Sequence, residues 1–129
     1  MENKSQNYYE VFWDNENKMG RIFVVGEVDM ESTKRIVEEG KKLQEKYYNE
    51  NEKMKWLINV DKVTKPILSL KTRGIMSEAI KIMKTGKIAI AGRSVIIKTV
   101  MAFIMSAAGQ ENFKCFGTEE EGIKWLKKG

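Results

Sequence analysis

From Lys55 onward, short apolar runs alternate with stretches whose apolar residues recur at helical spacing, and no other feature constrains the fold as much. Lys55 to Asp61 gathers Trp56, Leu57, Ile58 and Val60 into a compact run, the pattern of a central strand covered on both faces. Beyond the only proline, Pro66, the residues Leu68, Thr72, Ile75, Met76, Ala79 and Met83 follow helical spacing despite Gly74, and Thr85 and Gly86 end that helix. Lys87 to Ala91 reads as a strand, Gly92 to Ser94 as a turn, Val95 to Ala108 as a helix stopped by Gly109, and Phe113 to Phe116 as a last strand. Thr118 and Glu121 form a capping box for a final helix with Ile123 and Leu126 facing inward. Strands that alternate with helices imply right-handed crossovers and a parallel sheet.

The first part of the chain reads differently. Tyr9, Val11 and Trp13 alternate with Tyr8, Glu10 and Phe12 in a strand, Tyr8 to Asp14. Turn chemistry at Asn15 to Gly20 leads to a second strand, Arg21 to Val28. Asp29 or Ser32 can then cap a helix to Tyr47 with Ile36, Val37, Gly40, Leu43 and Tyr47 on one face. The order ββαβαβαβα predicts an α/β fold with a mixed, mostly parallel sheet of about five strands and about four helices. A chain of 129 residues can bury about two thirds of its unfolded surface, so residues 1–129 read as one domain.

Composition removes several functions. Cys115 is the only cysteine, which rules out an intramolecular disulfide and fits a reducing compartment. The polar start, Met1 to Asn7, lacks the apolar segment of a secretory signal, so the expectation is cytoplasmic. The longest apolar stretch, Val95 to Met105, is about half of the ~20 residues a membrane span requires and contains Lys98. Without histidine the chain lacks the commonest general base and transition-metal ligand. Charge is uneven: residues 53–98 hold eleven Lys and Arg against two Asp and Glu, whereas residues 1–52 hold eight against twelve. The basic block could steer an acidic partner, although a solvated face is the plainer reading. Trp56 is its only aromatic residue, so nucleic acid is disfavoured.

The strand Lys87 to Gly92, the Gly92-Arg93-Ser94 turn, the apolar helix Val95 to Ala108, the short strand ending in Phe116 and the helix beginning Thr118-Glu119-Glu120-Glu121 together resemble the STAS domain family, in its SpoIIAA-like branch of anti-sigma factor antagonists. The resemblance implies a non-enzymatic regulatory or ligand-binding module. Such antagonists are similar to one another in an Asp-Ser-Ser-Gly sequence after the third strand, where the serine is phosphorylated. Here the corresponding stretch is Pro66-Ile67-Leu68-Ser69, without the aspartate or the glycine.

Three groups of residues are candidates for function. The loop from Asp61 to Ser69 and the start of the second helix are a candidate partner surface with Lys62, Lys65 and Arg73, where Ser69 and Thr64 are phospho-switch candidates beside these cations and Lys71; a helix cap and a turn residue are the plainer readings. Gly92, Arg93 and Ser94 could bind an anion where free N–H groups at a helix start meet a cation. A simple strand-to-helix turn explains them too. The third helix carries apolar residues around most of its circumference, leaving Lys98, Thr99 and Ala102 as the expected outer strip. Met101 and Met105 are then candidates for an apolar ligand pocket or partner surface, and core packing explains the same residues. Glu27, Asp29 and Glu31 with Cys115 are the best catalytic ingredients, but acids before a helix more often serve its dipole. No catalytic residue, metal site or cofactor is assigned. The expected partner is an unidentified protein, with a small apolar ligand as the alternative, and the acidic first segment and basic middle leave a homodimer open.

Overall fold

The computed structural model describes residues 7–49, 53–83 and 85–128. Its elements run β1 (Tyr8–Asp14), β2 (Met19–Gly26), α1 (Met30–Tyr47), β3 (Met54–Val63), α2 (Leu70–Ile82), β4 (Thr85–Ala91), α3 (Val95–Ala107), β5 (Phe113–Phe116) and α4 (Glu119–Lys127), the expected order. One five-stranded sheet has the spatial order β1-β2-β3-β4-β5. β1 and β2 pair antiparallel, and every later neighbour pairs parallel.

This strand order decides where the helices lie. Each parallel connection steps one strand in the same direction, and right-handed crossovers made in one direction must stack their helices on one face. Ile36 of α1, Met76 and Ile80 of α2, and Ile97, Met101, Ile104 and Met105 of α3 accordingly share one core with Trp56, Val60, Ile88 and Ile90 of the sheet. α4 follows the last strand and has no crossover to complete. It covers the opposite face, where Leu126 packs with Leu57, Ala89 and Ala91. β3 and β4 are thus buried on both faces, as the run from Trp56 to Val60 predicts.

Local chemistry sets the ends. Asp29 caps α1 by accepting from Ser32 N at 2.7 Å, and Ser32 Oγ accepts from Asp29 N at 3.1 Å, so the two cap candidates act as one reciprocal box. Ser69, Ser94 and Thr118 cap α2, α3 and α4 through their hydroxyl oxygens. Trp13 stacks on Tyr47 with ring centroids 4.2 Å apart, fastening the end of α1 to β1.

Expected boundaries move in three strands. β2 starts at Met19, not Arg21, because Lys18 takes the left-handed conformation (φ 56°) and closes the turn early. It stops at Gly26 (φ 86°) rather than Val28. β3 extends beyond Lys55 and Asp61 at both ends, and Thr85, expected at the end of a helix, instead pairs with Met54 as the start of β4.

Candidate functional site

The parallel strands all end at the same edge of the sheet, where the loops into α2 and α3 gather most of the candidate residues. At the Gly92 turn a carboxylate from the neighbouring strand already fills the place of an anion. Asp61 Oδ1 accepts from Arg93 N at 3.0 Å and from Arg93 Nε at 2.9 Å, and Asp61 Oδ2 accepts from the other guanidinium arm at 3.1 Å. The guanidinium hydrogen bond, reinforced by the backbone one, holds the Asp61 carboxyl below its ordinary value. A Cβ on Gly92 would stand 3.1 Å from Asp61 N and 3.2 Å from Val60 Cγ2, so glycine lets the turn lie against β3 close enough for this pair to form. Ser94 accepts from Ile97 N at 3.2 Å. The Arg93 backbone N–H and guanidinium are therefore engaged from within the chain.

In the loop between β3 and α2, Thr64 N donates to Gly26 O at 2.9 Å and Arg73 Nε donates to Ile67 O at 2.7 Å, pinning the loop at both ends. Ser69 Oγ accepts from Thr72 N at 3.2 Å. Thr64 and Ser69 are both exposed. Lys62 is exposed, Lys65 reaches Glu27 at 3.6 Å, and Arg73 is half-buried. Thr64, Lys65 and Ser69 thus lie in one loop, which Arg73 of α2 ties down. Leu68 and Leu70, on either side of the Ser69 cap, are 72% and 79% exposed.

On α3 the expected faces are corrected. Met101 and Met105, candidates for a partner surface, point inward and are 6% and 0% exposed. The outer strip is not Lys98, Thr99 and Ala102 alone in character. Lys98 and Ala102 are half-buried, and the large residues turned outward are Val95, Ile96 and Phe103. Val95 and Ile96 occupy the first turn of α3, beside the exposed cap Ser94. Their position directly after the cap Ser94 was the available sequence signal, as it was for Leu70 after Ser69.

The catalytic ingredients separate. Glu27 pairs with Lys65, Asp29 caps α1, and Glu31 pairs with Arg35 at 3.5 Å. Among the described residues no cluster of acidic or cysteine side chains is arranged to hold a metal ion. Cys115 is half-buried, and burial pushes its thiol pKa up, away from the reactive thiolate.

Between the sheet and the three helices lies a cavity of about 100 Å³ with an almost wholly apolar lining that includes Ile36, Val60, Ile67, Ala79, Met83 and Met101. Trp56 also lines it, and its buried Nε1–H finds no acceptor among the described residues. A buried donor left unmet costs on the order of 1–3 kcal/mol. Nothing in the sequence distinguishes this tryptophan from an ordinary core residue.

No protein-family model matches the chain, and no curated protein matches it. The structure is similar to the crystal structure of an uncharacterized protein of the DUF3478 family, with a SpoIIAA-like fold, from Shewanella loihica PV-4: the TM-score is 0.67 over 98% of each chain, at 15% sequence identity. The fold is SpoIIAA-like. In this SpoIIAA-like chain the stretch from Pro66 to Ser69 leads directly into α2, and Ser69 is the residue that caps it. No helix among the described residues is long and apolar enough to cross a membrane.

Proposed function

We propose that this SpoIIAA-like, STAS-type chain is a non-catalytic interaction module that docks a protein partner where α2 and α3 begin. The observation that carries the reading is the exposure of Leu68, Leu70, Val95 and Ile96, between 66% and 79% each, at one edge of the sheet. Burying a large aliphatic side chain contributes about 1.5–3 kcal/mol, so a few of them supply a binding centre. Lys62, Lys65 and Lys71 stand around this edge and fit a partner with acidic residues beside an apolar centre. The scattered carboxylates and the raised thiol pKa support a role without catalysis.

Ser69 offers a means of control within the same surface. A phosphate there would add close to two negative charges beside Leu68 and Leu70 and offset the lysines that attract an acidic partner.

Native mass spectrometry on protein purified gently from its own cells tests both statements. The wild type is expected to carry a protein partner at low salt, and the double variant Leu70→Ser, Ile96→Ser to lose it while its melting temperature holds. A wild type with no protein partner, or a double variant with undiminished occupancy, overturns the docking surface. Ser69→Asp should weaken the complex about tenfold or more and Ser69→Ala should not, beyond a stability cost of ~1 kcal/mol for the lost cap. Equal binding by the two removes the switch.

A further inference from the structure

The sheet has two lateral edges, and the chain treats them differently. An edge strand presents a row of unpaired N–H and C=O groups that another strand can join, and proteins blunt such edges with short strands, lysine, proline or a bulge. β5 is blunted, with four residues and Lys114 among them. β1 has seven residues without lysine, arginine, proline or glycine, and its register with β2 runs unbroken from Tyr8 opposite Val25 to Asp14 opposite Met19. No strand among the described residues lies on its outer side. Its side chains are aromatic or β-branched apart from Glu10 and Asp14, and Asp14 is held within its own hairpin by Asn17 and Arg21. Tyr9, Val11 and Trp13 pack toward the helices, so the alternation puts Tyr8 and Phe12, 48% and 38% exposed, on the opposite face.

We propose that β1 pairs antiparallel with β1 of a second copy about a two-fold axis at Val11, joining two five-stranded sheets into one. Such an axis keeps the helices of both copies on one side of the joined sheet. Residues that face each other then share a face, and the residue on the axis fixes the register.

Charge selects among the registers. An axis at Glu10 sets that carboxylate against its own copy, and an axis at Phe12 sets Glu10 against Asp14; like charges directly opposite are destabilising. An axis at Tyr9 or Trp13 leaves most of the strand unpaired. The axis at Val11 pairs all seven residues and sets no carboxylate against another: Tyr8 faces Asp14, Tyr9 faces Trp13 and Glu10 faces Phe12. Phe12 then lies diagonal to both Tyr8 and Phe12 of the second copy, within reach of aromatic side chains. This surface is separate from the docking edge, because β1 is the lateral limit of the sheet and the docking residues lie where α2 and α3 begin, after β3 and β4.

Sedimentation equilibrium and a cysteine cross-link test the pairing. The wild type is expected to dimerise in the micromolar range, and Phe12→Glu, which sets a new carboxylate against Glu10 twice in each dimer, to weaken the dimer at least about tenfold. Adding Glu10→Lys to Phe12→Glu makes both contacts attractive and should restore it. The double variant Leu70→Ser, Ile96→Ser should dimerise as the wild type does. In a Cys115→Ser background, Glu10→Cys and Phe12→Cys chains mixed under mild oxidation should form a disulfide with each other in preference to either with itself, because facing Cα atoms in such a pair stand about 4.5–5.5 Å apart. A monomer at up to about 1 mM, a dimer that Phe12→Glu leaves intact, no restoration by Glu10→Lys, or a mixture that cross-links no faster than its components overturns the proposal. If Phe12→Glu fails to fold, the wild-type sedimentation and the cysteine mixture decide the matter alone.

Discussion

In the sequence Gly20 closes a turn and Gly74 interrupts a helical pattern, and their neighbours make them opposite in effect. Gly74 lies exposed within α2, with no atom within 4 Å of where a Cβ would stand. Glycine there costs backbone entropy and contributes no contact, so Gly74→Ala should raise stability by about 0.5–1 kcal/mol. Gly20 lies beneath the indole of Trp56, and a Cβ there would sit 2.6 Å from ring carbons of this large buried side chain. Gly20→Ala should lower stability by about 1–3 kcal/mol through overpacking. Urea denaturation of the pair checks both signs at once, and a destabilised Gly74→Ala or a neutral Gly20→Ala contradicts the packing described. The sequence shows Gly20 only as turn chemistry. Its contact with Trp56 spans a strand pairing that no local pattern records.

At the scale of elements, the β1–β2 hairpin carries its own electrostatic lock. Asp14 accepts from Asn17 N at 3.0 Å, from Asn17 Nδ2 at 2.9 Å and from Arg21 at 2.9 Å, while Arg21 also reaches Glu119 of α4 at 2.8 Å. Burial alone would raise the Asp14 pKa, but the hydrogen bonds from Asn17 and Arg21 outweigh it and hold the carboxyl at about 2. Because the folded pKa lies below the unfolded value of 3.8, the associated stability is full above about pH 4 and is lost as the pH falls toward 2. With solvent screening at the hairpin edge, this amounts to about 1–2 kcal/mol. Denaturation midpoints measured between pH 5 and pH 2 should fall for the wild type and fall less for Asp14→Asn. Parallel slopes would show that Asp14 is not the titrating group. The turn was legible at Asn15 to Gly20, although its last two residues belong to β2, and so were the caps of all four helices. The tie from Arg21 to Glu119 was not, because ninety-eight positions separate the two and only the docking of α4 unites them.

At the scale of the whole molecule, α3 separates what is near in sequence from what is near in space. Met101 and Phe103 are two positions apart on an apolar helix, yet the first is 6% exposed and the second 66%. Met101→Ala should cost about 2–5 kcal/mol, and Phe103→Ala should stay within about 0.5 kcal/mol of the wild type. Thermal denaturation that reverses or equalises the two would reject this orientation of the helix. The sequence by itself determined the succession of strands and helices, the caps and the parallel character of the sheet, because periodicity, capping and turn chemistry act between residues a few positions apart and crossover handedness follows from chirality. Tertiary structure alone decided which side of α3 faces water, that Asp61 occupies the donors of Arg93 from 32 positions away, and that the Trp56 N–H is left without an acceptor among the described residues. These outcomes depend on which strands lie side by side and how three helices share one face, relations that arise only when distant segments exclude water together.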